Sequence, residues 1–391
     1  MLREADVVVI GAGVVGIACA VELAKRGHFV TVLERHPRIA EEGSSRNSGV
    51  IHAGLHYATG SLKQRLCVRG RELLYERCKR FGLAHKKLGK LIVARDAHEA
   101  EVLATLEQRA HDNGAGPVRL LDGIELAMME ETVRGHAALL VEESGILRTQ
   151  EYVRSLAREA ESLRVEVLVG MEVTSIERDV DAESRDRWVV RIAGGDRDSG
   201  GWRCDHVIDA AGLGADHVAR MAGVDTDAHG LTQRFCKGTW MALDERFRKA
   251  VGRLLYPTPH VVVAEGGRDG ASPTALGIHL TRDLEGFLFA GPDAEWIDTP
   301  DFDLDASRDR AERYAAAVAM FLPDVEPRHL VPLVAGVRPK LHGPTEPAAD
   351  FVIRECTELG APRFVLLAGI ESPGLTASLA IAEEVCAIVR S

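Results

Sequence analysis

Gly11, Gly13 and Gly16 fall in the spacing G-x-G-x-x-G, directly after the apolar run Val7-Val-Val-Ile10. Each glycine in that spacing has its own physical role. The first permits a tight turn, the second lets backbone approach a pyrophosphate, and the third lets a helix pack closely on a strand. A helix starting there would offer free N–H groups and a favourable dipole to phosphate. Glu34, followed by Arg35, lies 18 residues past Gly16 at the end of a second apolar run, Phe29–Leu33. An acid at that distance can hydrogen-bond a ribose hydroxyl and would repel the extra phosphate of NADP. These residues together point to binding of a dinucleotide, FAD or NAD.

Such chemistry needs a strand, a turn and a helix in order, and the surrounding pattern predicts them. Val7–Ile10 reads as a buried strand, Ile17–Arg26 as a helix stopped by Gly27, and Phe29–Leu33 as a second strand. This is a βαβ unit in about 30 residues, the context the glycine spacing requires. Ser61, as N-cap, opens a predicted helix to Phe81, and Gly89–Ala94 reads as a strand. Helices are predicted over His98–Asn113 and, with Thr149 as N-cap, over Thr149–Ser162. Strands follow at Val165–Val169, Val173–Ile176, Trp188–Ile192 and Val207–Gly212. Between Met221 and Pro327 the short runs Thr239–Leu243, Val261–Ala264, Ala275–Leu280 and Gly286–Phe289 suggest an antiparallel or mixed sheet, followed by a helix over Ala306–Phe321. Phe364–Ala368 is a last buried strand and Thr376–Val389 a closing helix.

Composition narrows the function classes. The chain has 391 residues, with 48 Lys and Arg against 59 Asp and Glu, a net charge of −11. That balance argues against general affinity for nucleic acid, which needs many cationic phosphate contacts. No apolar run is long enough to span a bilayer. Seven scattered cysteines without a CxxC pair fit a reducing compartment better than a disulfide framework, and they speak against a metal site. Met1–Asp6 leads straight into a strand without a signal peptide, so the expected location is cytoplasmic. Lys63, Arg65, Arg69, Arg71, Arg77, Lys79 and Arg80 make the helix after Ser61 basic. Peripheral membrane contact there stays open, although a solvated face balanced by acids is the favoured reading.

Two further motifs favour FAD over NAD: Ser44-Ser-Arg-Asn-Ser-Gly-Val-Ile-His-Ala-Gly54 and Gly369-Ile-Glu-Ser-Pro-Gly-Leu-Thr-Ala-Ser-Leu379. With VVIGAGVVG they resemble the FAD-dependent D-amino-acid-oxidase-like superfamily. Within it, NSGVIHAG, GSLKQRLC, GKLIVA, GIHLT and GVRPK resemble the branch of L-2-hydroxyglutarate dehydrogenases or oxidases. The resemblance covers nearly the whole chain. It implies an α/β fold: a Rossmann-like FAD-binding domain interleaved with an α+β substrate domain on a mixed or antiparallel sheet. The FAD-binding pieces would be 1–85, 149–220 and 330–391, and the substrate pieces 86–148 and 221–329.

The resemblance also implies roles. Ser45, Arg46, Asn47, Ser48 and Gly49 would hold cofactor phosphate or ribose. Val173 would meet the adenine through its backbone, and Ala211 and Gly212 would pass close to the cofactor. Gly369, Ile370, Glu371, Ser372, Gly374 and Leu375 would aim a helix N-terminus at the flavin pyrimidine, where dipoles stabilise negative charge. The reaction would oxidise a small 2-hydroxy acid, with L-2-hydroxyglutarate favoured, by hydride transfer to flavin N5. It needs a cation for the carboxylate and a base for the hydroxyl proton. Arg338 has the planar fork for the first role. Lys340 and Lys237 are candidates for a second acidic group. An imidazole ordinarily titrates near working pH, which makes His52 and His279 candidate bases, while Tyr57 and Tyr256 could line the pocket beside His56. The partners expected are a small acidic substrate and an electron acceptor: oxygen, a quinone or a carrier protein. Three alternatives stay open: oxidation of an amino acid or secondary amine on the same fold, a nicotinamide dehydrogenase, and a noncatalytic flavin-binding module.

Overall fold

The computed structural model describes residues 2–180, 186–194, 200–259, 261–263, 269–271, 277–304 and 310–389. Its first sheet grows from the βαβ unit. The strand Arg3–Ile10 lies between Val30–Glu34 and Gly201–Asp209, parallel to both. Glu166–Val169 extends the parallel order beyond Val30–Glu34, and Ala361–Ala368 runs parallel to the end of Gly201–Asp209. Val173–Val180 and Asp186–Ile192 continue the sheet antiparallel on the other side. Helices Val14–Lys25, Leu62–Phe81, Thr149–Ser162 and Gly374–Val389 pack on one face. The other face is covered by a second cluster that includes Trp188, Trp202, Val218 and Phe364. Burial on both faces explains why Val7 to Ile10 form an uninterrupted apolar run.

The second sheet is mixed. Its order is Glu295–Ile297, Arg234–Leu243, Leu288–Ala290, Leu280–Arg282, Leu254–Pro257, Lys90–Ala94, Ala137–Val141 and Val118–Asp122. Leu330–Lys340 pairs antiparallel with Arg234–Leu243, setting Arg338 opposite Cys236 and Lys340 opposite Arg234. Side chains alternate along a strand. Arg338 and Lys340 therefore share one face, and Lys237, opposite Val337, belongs to the other.

The α/β architecture agrees with the sequence reading, with differences in detail. The first helix begins at Val14, directly behind Gly13, rather than at Ile17. Thr149 is the first residue of its helix and not the cap; Arg148 stands before it without a side-chain cap bond. Val207–Gly212 is the end of a longer strand, and Gly212 belongs to a short 3-10 turn. The eleven-residue strand Leu330–Lys340 has no counterpart in the sequence reading, because Pro332, Gly336 and Pro339 interrupt its pattern. Three expected elements run partly outside the described residues. In their described parts the structure has the strand Val261–Val263, the helix Ala311–Ala319 and, of the expected strand ending at Leu280, only Leu280 itself, which opens the strand Leu280–Arg282.

Candidate active site

A cavity of about 1110 Å³ runs from the glycine turn of the first sheet to the inner strands of the second. At one end it is made largely of backbone. A Cβ on Gly16 would stand 2.0 Å from the Gly11 carbonyl oxygen, and one on Gly11 would stand 2.5 Å from that of Ala210. Only bare backbone fits this turn. Beside it Glu34 is buried; its Oε2 accepts from Ala12 N–H at 2.8 Å and its Oε1 from His36 N–H at 2.9 Å. Two backbone bonds thus hold a carboxylate rigidly at the wall, where it can still accept from a ribose. Gly13, Arg35, Val173, Ala211 and Gly212 line the same stretch.

The expected phosphate loop divides into two groups. Arg46, Ser48 and Gly49 line the cavity, and Nε of Arg46 is buried without a hydrogen-bond partner among the described residues. Asn47 also lines it, but its side chain bonds the carbonyls of Gly43 and Ser44, Gly49 N–H and Thr149. Its observed work is to hold the loop. Ser45 bonds the carbonyls of Glu41 and Glu42 and does not reach the cavity lining. Ser44, absent from the sequence-based set, accepts from Val14 N–H at 2.9 Å, at the helix start.

The C-terminal motif closes the middle of the cavity. Ile370, Glu371, Ser372, Gly374 and Leu375 line it, at the start of the helix Gly374–Val389. Gly369 does not; its N–H donates to Gln233, whose side chain also bonds the Gly212 carbonyl. Gln233 thereby ties two distant motifs together, and no local pattern marks it in the sequence. Glu371 sits between the ammonium groups of Lys63, 2.9 Å away, and Lys340, 2.6 Å away. Burial pushes the Glu371 carboxyl up, but the pull of the two lysines outweighs it and holds the group below its usual value. Lys340 is therefore already paired. Lys237 pairs with Asp301 and lies outside the lining, on the sheet face its register dictates.

The remaining wall carries side chains. His52 donates its backbone N–H to Thr376 Oγ1 at 3.1 Å, and its Nε2 lies 3.3 Å from Ser372 Oγ. Tyr57 OH is 3.5 Å from the same oxygen. His279 Nδ1 is 2.9 Å from the Gly277 carbonyl, which can only accept; the proton sits on Nδ1 and Nε2 is left as an acceptor. The His279 ring stacks on Tyr256 at 3.9 Å. Burial, with the charge of Lys90 second, holds His52 and His56 well below the ordinary imidazole value. Burial brings His279 down to about 3. All three imidazoles are thus neutral at pH 7. Arg338 anchors Nε and Nη2 on the carbonyls of Cys236, Lys237 and Asp293, so its outer nitrogen, Nη1, is the donor least committed to the sheet.

Rigid Glu34, the side-chain-free turn and the unpartnered Arg46 Nε suit a phosphorylated dinucleotide. Comparison with known proteins specifies which one. The model of the FAD dependent oxidoreductase family matches residues 6–388. The chain belongs to this family. This oxidoreductase uses FAD. It is 36% identical over 423 residues to the L-2-hydroxyglutarate dehydrogenase, mitochondrial, of Arabidopsis thaliana, covering 98% of this chain and 83% of that protein. It is 32% identical over 297 residues to the protein of the same name from Homo sapiens, covering 74% of this chain but only 60% of the human protein. Among solved structures it is similar to the dithionite-reduced L-alpha-glycerophosphate oxidase of Mycoplasma pneumoniae with FAD bound. That match has a TM-score of 0.83 and 26% identity, and covers 100% and 96% of the two chains. No described helix is long and apolar enough to cross a membrane. Several bases of the Leu62–Phe81 helix are paired inside the chain: Lys63 with Glu371, Arg69 with Glu383 and Arg77 with Glu159.

Proposed function

We propose that this oxidoreductase converts a small L-2-hydroxy acid, L-2-hydroxyglutarate by preference, into the 2-oxo acid. The observation that carries the reading is a neutral imidazole, His52, that shares one cavity with the cofactor-binding motifs and Arg338. An alcohol must lose its hydroxyl proton to be oxidised to a ketone, and a neutral imidazole accepts one. His52 is oriented for that role by its backbone bond to Thr376 and by Ser372 beside Nε2. Arg338 binds the carboxylate next to the reacting carbon. His279 offers a second acceptor, Nε2, in the same cavity. Bound FAD supplies the two-electron acceptor. The similarity to L-2-hydroxyglutarate dehydrogenases of a plant and an animal supports the choice of substrate.

The reading is tested by turnover with an artificial electron-accepting dye and four substrates: L-2-hydroxyglutarate, L-glutamate, sarcosine and glycerol 3-phosphate. L-2-hydroxyglutarate is expected to give the highest kcat/KM by at least about 100-fold, the discrimination that differently placed polar groups can support. Faster turnover of L-glutamate or sarcosine would replace this reading with amine oxidation.

A further inference from the structure

At the end of the cavity formed by His56, Tyr256 and His279 lie two buried polar atoms. Neither the Lys90 ammonium nor Nε2 of His56 has a hydrogen-bond partner among the described residues. Lys90 opens the fully buried strand Lys90–Ala94 and is itself fully buried. Its Nζ lies 4.0 Å from the Tyr256 ring centroid, and the His56 ring stacks near the same tyrosine at 6.4 Å. Tyr256 and His56 line the cavity, and Lys90 stands behind that wall.

A ring face recovers only part of the hydration that a buried ammonium loses. Burial brings Lys90 down to about 8, which still leaves it mostly protonated at pH 7. The thiol whose field acts on Lys90, Cys67, is pushed up to about 12 by burial and is neutral. Lys90 is thus a standing positive charge without an anion among the described residues. Its field reaches His52, His56 and His279, and that of Arg338 also reaches His279. Arg109, on the same cavity wall, adds its charge at His56. A ligand seated against His279 therefore lies within the field of both Lys90 and Arg338. Lys340 and Lys237, by contrast, already hold Glu371 and Asp301.

We propose that the end of the cavity beside His56 and Lys90 is the subsite for the second carboxylate of a dicarboxylic 2-hydroxy acid whose first carboxylate is held by Arg338. His56, whose Nε2 is buried away from the cavity surface, is a positioning residue beside the Tyr256 ring. Lys90 is a positioning residue whose charge acts through the Tyr256 wall. The inference rests on the 2-hydroxy-acid reading and adds a reason for preferring a diacid.

The test titrates the FAD-loaded enzyme with glutarate and with pentanoate, which has the same length and one carboxylate, while following the visible flavin band. Wild type, Lys90→Met and His56→Asn are compared, and kcat and KM for L-2-hydroxyglutarate are measured alongside. Wild type is expected to prefer glutarate by about tenfold or more, the scale of one charge-assisted contact. Both variants are expected to bring that ratio to within about threefold of one and to raise KM more than they lower kcat. An apolar side chain in place of an unpaired buried charge is tolerated, so Lys90→Met is expected to keep its flavin and its Tm. If it does not, His56→Asn carries the test alone. A wild-type ratio near one, or a wild-type ratio retained in the folded variants, overturns the subsite. Glutarate preference lost in the variants while L-2-hydroxyglutarate is not oxidised keeps the subsite and overturns the proposed reaction instead.

Discussion

The two ends of the cavity are built from different materials. The cofactor end is mostly backbone: a turn with no room for a Cβ at Gly11 or Gly16, and a carboxylate, Glu34, fixed by two N–H groups. The substrate end is mostly side chains, brought from the loop after Ile51, from Leu254–Pro257, from the segment at His279 and from Leu330–Lys340. A backbone site depends on local conformation, so contiguous sequence specifies it. A side-chain site depends on how distant strands register, and its residues are individually replaceable. Damage at the first end is expected to remove the cofactor; damage at the second is expected to leave the cofactor bound and alter rate or selectivity.

The largest effect separates the two ends outright. Gly16→Val places atoms on top of the Gly11 carbonyl, 2.0 Å from the first added carbon. The variant is expected to purify without flavin, seen as loss of the visible band. A yellow, active Gly16→Val protein would show that the turn does not make the cofactor site. Next comes His52→Gln. It is expected to retain FAD and to slow flavin reduction by about 10²–10⁴-fold, the usual range for a positioned base. Stopped-flow absorbance reads this directly, and an unchanged rate would remove His52 from the reaction.

The smallest effect concerns acid stability. His279 has a folded pKa of about 3, below its unfolded value of about 6.5. The unfolded chain therefore binds the proton more readily, and stability is complete above about 6.5 and falls as pH drops toward about 3. His52 and His56 act in the same direction. Thermal melts at pH 7 and pH 5 are expected to show a smaller drop in Tm for His279→Gln than for wild type. Parallel drops would mean that His279 is not held neutral in the folded chain.

What was legible in the sequence follows the same division. The βαβ unit, Glu34 and the C-terminal motif are contiguous, and the structure sets nearly all of them on one cavity. Gly16 and Gly369 are the exceptions: Gly16 packs beneath the Gly11 carbonyl, and Gly369 supports the wall from behind through Gln233. His52, Tyr57, Tyr256, His279 and Arg338 also meet there, although they lie up to 286 positions apart in the chain. The pairing of Lys237 and Lys340 with Asp301 and Glu371 was not legible because those partners are distant in sequence, and of the two lysines only Lys340 lines the cavity. Lys90 was hidden for the opposite reason. It begins an apolar strand, where a lysine ordinarily marks the exposed end, and only the sheet order shows that this end is internal.

The central claim is that neutral His52 and Arg338 share one cavity with FAD in order to oxidise a 2-hydroxy acid. Anaerobic titration of the FAD-loaded enzyme with L-2-hydroxyglutarate tests it most directly. One equivalent per flavin is expected to bleach the visible band and to release one equivalent of 2-oxoglutarate. A band unchanged by L-2-hydroxyglutarate, or bleached instead by L-glutamate with release of ammonia, would contradict it.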